Sequence, residues 1–261
     1  MIKNLTNNNF TLILSGGGAL GIAHLGVIHD LEKHKLVPSE VVGTSMGAII
    51  GSCLAIEMKE KEIFSLIKKF SNMFKLIKLS MFGNSIIKSI KIERALSDIF
   101  ADTKLKDTKI PLKIIATNLQ SGDMKIFDCN DDVKIKDAIL ASIAIPGVFE
   151  EKCIDGTIYG DGFLCENLGV SQATHGNILA VDVVGKNSFK SAMPNNFLKT
   201  NNILEMFEKS MRILIYNQTK KALKTSNKNI YLIEPNTKKY KTFHFYKYKK
   251  LRELGLNLLT P

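Results

Sequence analysis

Ser45 stands between two glycines in Gly43-Thr44-Ser45-Met46-Gly47, directly after Val41-Val42 and directly before Ala48-Ile49-Ile50. That is the G-x-S-x-G pattern of a nucleophile elbow, a sharp strand-to-helix turn that lifts a serine hydroxyl above a sheet. The turn is strained and a side chain beside it would collide with neighbouring elements, so Gly43 and Gly47 are what the geometry requires. A second glycine-rich stretch, Ser15-Gly16-Gly17-Gly18-Ala19-Leu20-Gly21, follows the apolar run Phe10–Leu14. Its unshielded backbone N–H groups suit an oxyanion hole, and the Met46 N–H at the head of the next helix is a further donor. A nucleophile and an anion trap one helix apart are the makings of acyl transfer.

The same glycines admit a rival reading, because Gly16-x-Gly18-x-x-Gly21 also satisfies the dinucleotide-binding fingerprint. That fingerprint needs an acidic residue at the carboxyl end of the second strand to hold the ribose. Glu40 lies instead at the start of that strand, which finishes in Gly43-Thr44-Ser45. A nucleotide-dependent oxidoreductase is therefore the weaker reading. The serine also needs a base. His24, His29 and His34 precede Ser45 on a helix expected to face largely outward, while His175 and His244 follow it without a supporting signature. An aspartate serves better. Asp155-Gly156 has the composition of a hairpin turn, whereas Asp161-Gly162 lies beyond the returning strand and leads into another loop.

With these three motifs in this order, the chain resembles the patatin-like phospholipase family of lipid acyl hydrolases over roughly residues 10–185. That family joins a G-G-G-x-[RK]-G anion loop, a G-x-S-x-G elbow and a later D-G-[GA] motif. The runs Pro146-Gly147-Val148-Phe149 and Asn167-Leu168-Gly169-Val170 flank Asp161 where the family places them. The resemblance implies a three-layer α/β/α fold with a mainly parallel central sheet, and hydrolysis of acyl esters in lipids, phospholipids or lysophospholipids. It implies a Ser–Asp dyad without histidine: Ser45 as nucleophile, Asp161 as base supported by Gly162, and Gly16, Gly17 and Gly18 around the oxyanion. No metal or organic cofactor is implied. Three positions depart from the pattern. Leu20 stands where the family usually has Arg or Lys, and Gly169 replaces a common Pro. Phe163 replaces the final small residue of D-G-[GA], a bulky ring expected to narrow the pocket or shift the carboxylate. A catalytically weak or inactive lipid-binding descendant is the alternative that these departures leave open.

The elements that must position this chemistry are marked by apolar runs and turn residues. Strands are expected at Phe10–Leu14, Glu40–Val42, Leu112–Thr117, Met124–Asp128, Ile178–Val183 and Ile230–Ile233. Helices are expected at Gly21–Lys35, Met46–Met58, Val133–Ser142 and Ile203–Lys224, and Lys59–Leu79 reads as a lid or acyl-chain channel or, compatibly, as an amphipathic helix packed on the core. Strand and helix alternate with short turns through the first third, which argues a parallel α/β sheet. The helix after Ser45 is apolar almost all round and should be buried centrally. Asn187–Asn202, with Pro194 and several asparagines, reads as a surface loop.

At 261 residues with 45% apolar residues, the chain is expected to form one large domain, with residues 186–261 as its C-terminal extension. Its net charge of +11 suggests an anionic partner. Much of that charge lies in Lys238, Lys239, Lys241, Lys247, Lys249, Lys250 and Arg252, interleaved with Phe243, Phe245, Tyr246 and Tyr248. This pattern suits peripheral contact with an anionic membrane, and without a nucleic-acid-binding motif no nucleic-acid partner is expected. No stretch is long and apolar enough to span a bilayer, and the polar, Asn-rich start lacks a signal-peptide pattern. Cys53, Cys129, Cys153 and Cys165 form no C-x-x-C pair, so a metal site is not expected and reduced thiols of a cytoplasmic protein are the default. A signal-independent export route leaves no mark on such a sequence, and neither does oligomeric state.

Overall fold

The computed structural model describes residues 2–6, 8–77, 85–146, 148–188 and 200–259. In chain order, α1 (Ile2–Thr6) precedes β1 (Phe10–Leu14), and a 3-10 helix over Gly18–Ala23 runs into α2 (His24–Lys33). β2 (Glu40–Thr44) turns directly into α3 (Met46–Ala55), followed by α4 (Glu60–Ile77) and α5 (Ser85–Phe100). β3 (Leu112–Asn118) and β4 (Met124–Phe127) lead to α6 (Ile135–Ser142) and the hairpin of β5 (Lys152–Ile154) and β6 (Thr157–Asp161). β7 (Asn177–Val181), α7 (Thr200–Thr225), β8 (Asn229–Ile233) and α8 (Tyr248–Glu253) follow.

The strands form one sheet in the order β5-β6-β3-β2-β1-β7-β8, with β4 also paired to β3. The pairs β2–β3, β1–β2, β1–β7 and β7–β8 are parallel; β4, β5 and β6 are joined antiparallel. The expected mainly parallel α/β sheet is thus present, with its crossovers supplied by helices. Both faces are covered, as a parallel sheet requires. Leu12 and Leu14 of β1 enter the larger core with α2 and α3, while Ile13 enters a second cluster with Val42, Ile115 and Ile178, closed by Ala222 and Leu223 of α7. α3 is buried on nearly every side, as its uniform apolarity demands.

One feature of β3 positions everything that follows. β2 and β4 pair with opposite edges of Ile114 and Ile115, and the β2 ladder ends at Thr44↔Ile115. The very next β3 residue pairs with β6 as Ala116↔Asp161, while still pairing with β4 on its other side. β6 therefore takes over the edge that β2 vacates. The chain leaves β2 at Ser45 at the same point where it arrives, much later, at Asp161.

The C-terminal region is bound tightly to the rest. Leu251 is fully buried, and Gly26 of α2 meets the backbone of Arg252 and Gly255 so closely that a Cβ there would lie 2.5 Å from the Arg252 carbonyl oxygen. The basic and aromatic residues of this stretch divide accordingly. Phe245 is buried, Tyr248 packs on Phe64, and Arg252 is paired at 2.6 Å with Glu60, leaving Lys238, Lys239, Tyr246, Lys249 and Lys250 exposed.

Some boundaries differ from expectation. α5 is an addition, with Ile92, Leu96 and Phe100 buried at helical spacing. The amphipathic segment is helical over Glu60–Ile77, with Ile63, Ile67 and Phe70 buried; its residues 78–79 lie outside the described residues. Of the expected surface loop 187–202, residues 189–199 lie outside the described residues, and α7 already begins at Thr200. Gly147 also lies outside them.

Because backbone occupies the space beside Gly26, Gly26→Ala should destabilise the protein by about 1–3 kcal/mol. Gly176→Ala, where a Cβ meets nothing, should be within about 0.5 kcal/mol of wild type in the same denaturant titration.

Candidate active site

The elbow is built by strain and close approach. Ser45 has φ 54 and ψ −119, a conformation that costs a non-glycine residue of order 1–3 kcal/mol and persists only when neighbours enforce it. The enforcement is visible on both sides. A Cβ on Gly47 would overlap the Leu14 carbonyl at the end of β1, and one on Gly43 would lie 2.6 Å from the Gly47 oxygen. The Ser45 N–H donates to the Ser142 hydroxyl at 2.8 Å, and that hydroxyl donates to the Ile115 carbonyl at 2.6 Å. Ser142, at the end of α6, thereby ties the elbow to β3. Nothing in its sequence surroundings marks it, because its partners come from distant strands.

The Ser45 hydroxyl donates to Asp161 Oδ2 at 2.7 Å, between residues 116 apart in the chain. The other carboxylate oxygen, Oδ1, accepts from the Phe163 N–H at 3.0 Å. Thr117 Oγ1 donates to the Asp161 carbonyl, and the Asp161 N–H donates to that of Ala144, so the backbone of the aspartate is held as firmly as its side chain. Asp161 is fully buried and has no cationic partner among the described residues. Burial pushes its carboxyl up to about 7, against the opposing hydrogen bonds from Phe163 and Ser45. An aspartate in this setting has the proton affinity expected of a histidine.

The departures from the family pattern find physical reasons. Phe163 packs its ring on the main core and uses its backbone N–H to orient the carboxylate, so the expected displacement of Asp161 does not occur. Leu20 is fully buried in that core, where an Arg or Lys head group would lose its water. Gly169 has φ 66, a value that the proline ring forbids, and a Cβ there would lie 2.7 Å from Ile115 Cδ1.

The anion loop lies beside the elbow: a Cβ on Gly16 would approach Ser45 Cβ to 3.1 Å. The Gly16 N–H is directed to the Asn167 carbonyl at 3.4 Å, while Asn167 Nδ2 donates to the Gly16 oxygen at the same distance. Among the described residues no group accepts from the N–H of Gly17, Gly18 or Met46. For Gly18 and Met46 this is the ordinary state of a first helical residue, and it leaves backbone donors unpaired beside Ser45. Gly18 has φ 54 and lies against Thr242, so both its backbone and its surroundings exclude a side chain.

The histidines are elsewhere. His24, expected to face outward, is instead fully buried; its Nε2–H donates to the Ser15 carbonyl at 2.9 Å, and burial lowers its pKa to about 4. It helps to seat the anion loop as a neutral side chain. His175 lies beside Glu40 and Thr11, at the opposite end of the parallel strands from Ser45. Glu40 there accepts from Thr174, Thr11 and Lys113; burial raises its pKa, and these bonds more than offset that, holding the carboxyl below its usual range. No described residues form a cluster able to hold a metal ion.

The family model described as Patatin-like phospholipase matches residues 12–174, a span that contains both Ser45 and Asp161. The chain is 28% identical, over 98% of its length, to a protein of Scheffersomyces stipitis named Lysophospholipase NTE1, of which it covers 18%. It is 30% identical to an uncharacterised NTE-family protein of Mycobacterium bovis, with 64% of this chain and 46% of that one covered. Among solved structures, VipD from Legionella pneumophila aligns over 94% of this chain and 67% of that chain, at 14% identity and a TM-score of 0.49. The chain thus spans about a fifth of the length of the lysophospholipases it matches.

The raised carboxyl carries a stability signature. Asp161 has a higher pKa folded than unfolded, so its favourable contribution is complete below the unfolded value of 3.8 and is lost as pH rises to about 7. Asp161→Asn should therefore be more stable than wild type at pH 8, by roughly 1–3 kcal/mol, with the gain vanishing near pH 4. Thermal melts across that range check the sign; a variant less stable at pH 8 would contradict the burial argument.

Proposed function

The chain belongs to the patatin-like phospholipase family, and from that premise we propose that it is a serine lipid acyl hydrolase working through Ser45 and Asp161. The observation that carries the reading is the 2.7 Å hydrogen bond from the strained serine to a buried aspartate. The substrate class is an acyl ester of a phospholipid or lysophospholipid, in keeping with the named activity of the fungal relative.

In this mechanism Ser45 Oγ attacks the ester carbonyl as its proton passes to Asp161 Oδ2. A pKa near 7 suits that role, since a general base works best when its pKa lies close to the operating pH. The negative charge that develops on the carbonyl oxygen is met by the N–H groups of Gly17, Gly18 and Met46, with the N-terminal dipole of α3 aligned behind them. Each such donor is worth about 3 kcal/mol in comparable sites. Asp161 then returns its proton to the leaving alcohol. In the second half-reaction it takes a proton from water, whose oxygen attacks the acyl carbonyl, and passes that proton to Ser45 Oγ as the acyl-enzyme bond breaks and the acid leaves. The Phe163 N–H holds the carboxylate in place through both steps.

Membrane contact is part of the proposal. Lys238, Lys239, Lys249, Lys250 and Tyr246 are each exposed and are the residues we assign to anionic headgroups, each lysine contributing about 1 kcal/mol near the bilayer. The buried Phe245 and the Glu60-paired Arg252 belong to the fold and not to that set.

Ser45→Ala and Asp161→Asn should each lower ester hydrolysis by about 10⁴-fold or more, with unchanged circular dichroism. A fluorophosphonate probe should label wild type at Ser45 and fail on Ser45→Ala; no labelling of an intact wild type would favour the inactive lipid-binding alternative. Hydrolysis should fall as pH drops below about 7, and Asp182→Asn should keep that limb, although Asp182 is also buried with its carboxyl raised to about 7. Reversing the four exposed lysines to glutamate should abolish flotation with phosphatidylcholine vesicles containing phosphatidylglycerol, while hydrolysis of a soluble ester persists.

A further inference from the structure

The anion loop is clamped by residues that lie well beyond the elbow and the aspartate in sequence. Thr242 presses on Gly18: a Cβ there would stand 2.6 Å from Thr242 Cγ2 and 2.7 Å from its carbonyl oxygen. That carbonyl accepts the Ala19 N–H at 2.8 Å. Thr242 is in turn gripped by α7. Its N–H and its hydroxyl both donate to Glu208 Oε1, at 2.6 and 2.5 Å. Arg212, one helical turn on, pairs with the same oxygen at 2.5 Å and also donates to the carbonyls of Tyr240 (3.1 Å) and Ser188 (2.8 Å). Arg212 is 7% exposed. Burial tends to raise the Glu208 pKa, but the Arg212 charge and the Thr242 hydrogen bonds outweigh it, so the group is a firm carboxylate. Upstream on the same strap, Thr237 donates to the Val183 carbonyl at 2.8 Å, and Val183 is the residue against which Gly17 rests.

A buried ion pair of this kind costs desolvation, and replacing it with apolar side chains is often neutral or favourable for stability. Its position suggests a different use. An oxyanion hole acts only if its donors are fixed before the charge appears, to within about half an ångström. A loop rich in glycine cannot fix itself, because glycine has the widest choice of backbone conformations. Thr242 removes that choice from outside: it occupies the side-chain space of Gly18 and turns the next amide, that of Ala19, onto its own carbonyl.

We propose that Glu208 and Arg212, acting through Thr242, are positioning residues for the oxyanion-binding amides of Gly17 and Gly18. The inference rests on the acyl-hydrolase reading above and adds that the site is incomplete without the chain beyond the family-matched segment. The clamp touches the loop and not the substrate, so its loss should appear in the transition state more than in substrate binding.

The test is steady-state hydrolysis of p-nitrophenyl butyrate by the full chain, with kcat and KM resolved and thermal midpoints measured alongside. Thr242→Val keeps the side-chain shape and removes the hydroxyl from Glu208; it should lower kcat by roughly ten- to a hundredfold, the effect of a small misplacement of catalytic groups, with KM changed by less than about threefold. Glu208→Gln should do the same, and the double variant should be no worse than the weaker single one. Thr242→Ser keeps the hydroxyl on Glu208 but gives up the methyl that presses on Gly18, so its kcat should fall between those of wild type and Thr242→Val. If Glu208→Gln fails to fold, the isosteric Thr242→Val carries the test alone. Wild-type kcat in Thr242→Val, or a fall in thermal midpoint with kcat intact, overturns the inference while Ser45→Ala remains inactive. Undiminished hydrolysis by Ser45→Ala is a separate result that overturns the underlying reading.

Discussion

A carboxylate sealed from water beside one serine hydroxyl is the constraint around which this protein is arranged. Asp161 is fully buried and, among the described residues, no cation compensates it; its charged form is held by the Phe163 amide and the Ser45 hydroxyl. Such a group is costly to keep. The cost has a chemical return: a carboxyl raised to about 7 accepts a proton far more readily than an ordinary aspartate does. What would count as a defect in a structural core gives the proposed two-residue site a base without histidine.

The sheet makes that meeting unavoidable. β3 carries β2 on one edge as far as Ile115 and β6 on the same edge from Ala116, so the strand that ends in the serine and the strand that ends in the aspartate abut. Ser142 closes the corner by binding the elbow amide and the Ile115 carbonyl together. On the far side of Ser45 lies the anion loop, whose internal bond runs from the Leu20 N–H to the Gly17 carbonyl at 3.1 Å. The loop is held by contacts from several directions: His24 below the Ser15 carbonyl, Asn167 across Gly16, and Thr242 against Gly18. Glycine at these positions permits the backbone to approach, and the neighbours then decide where it stays.

Much of this was legible in the sequence, and for identifiable reasons. The elbow, the anion loop and the Asp-Gly turn each leave a local mark, because strained turns and close backbone approaches tolerate few residue types. Apolar runs bounded by turn residues located the strands that carry them, and the order of motifs located Ser45 and Asp161. What remained hidden depends on tertiary contact. His24 reads as a helical surface residue until its burial is known. Ser142, Glu208 and Arg212 look like ordinary helical polar residues, since their partners Ser45 and Thr242 are remote in sequence. The interleaved lysines and aromatics of the C-terminal stretch look like one continuous stripe, and only the structure divides them into core and surface. The proton affinity of Asp161 belongs to the same class: burial sets it, and burial is not written at any single position.

The central claim is that Ser45 becomes transiently acylated as Asp161 takes its proton. Rapid acid quench during turnover of p-nitrophenyl butyrate, followed by peptide mass mapping, tests it most directly. The account expects a butyryl adduct on the peptide that contains Ser45, absent from Ser45→Ala and strongly reduced in Asp161→Asn. Turnover at full rate with that peptide unmodified throughout, or an adduct formed equally well without Asp161, would contradict it.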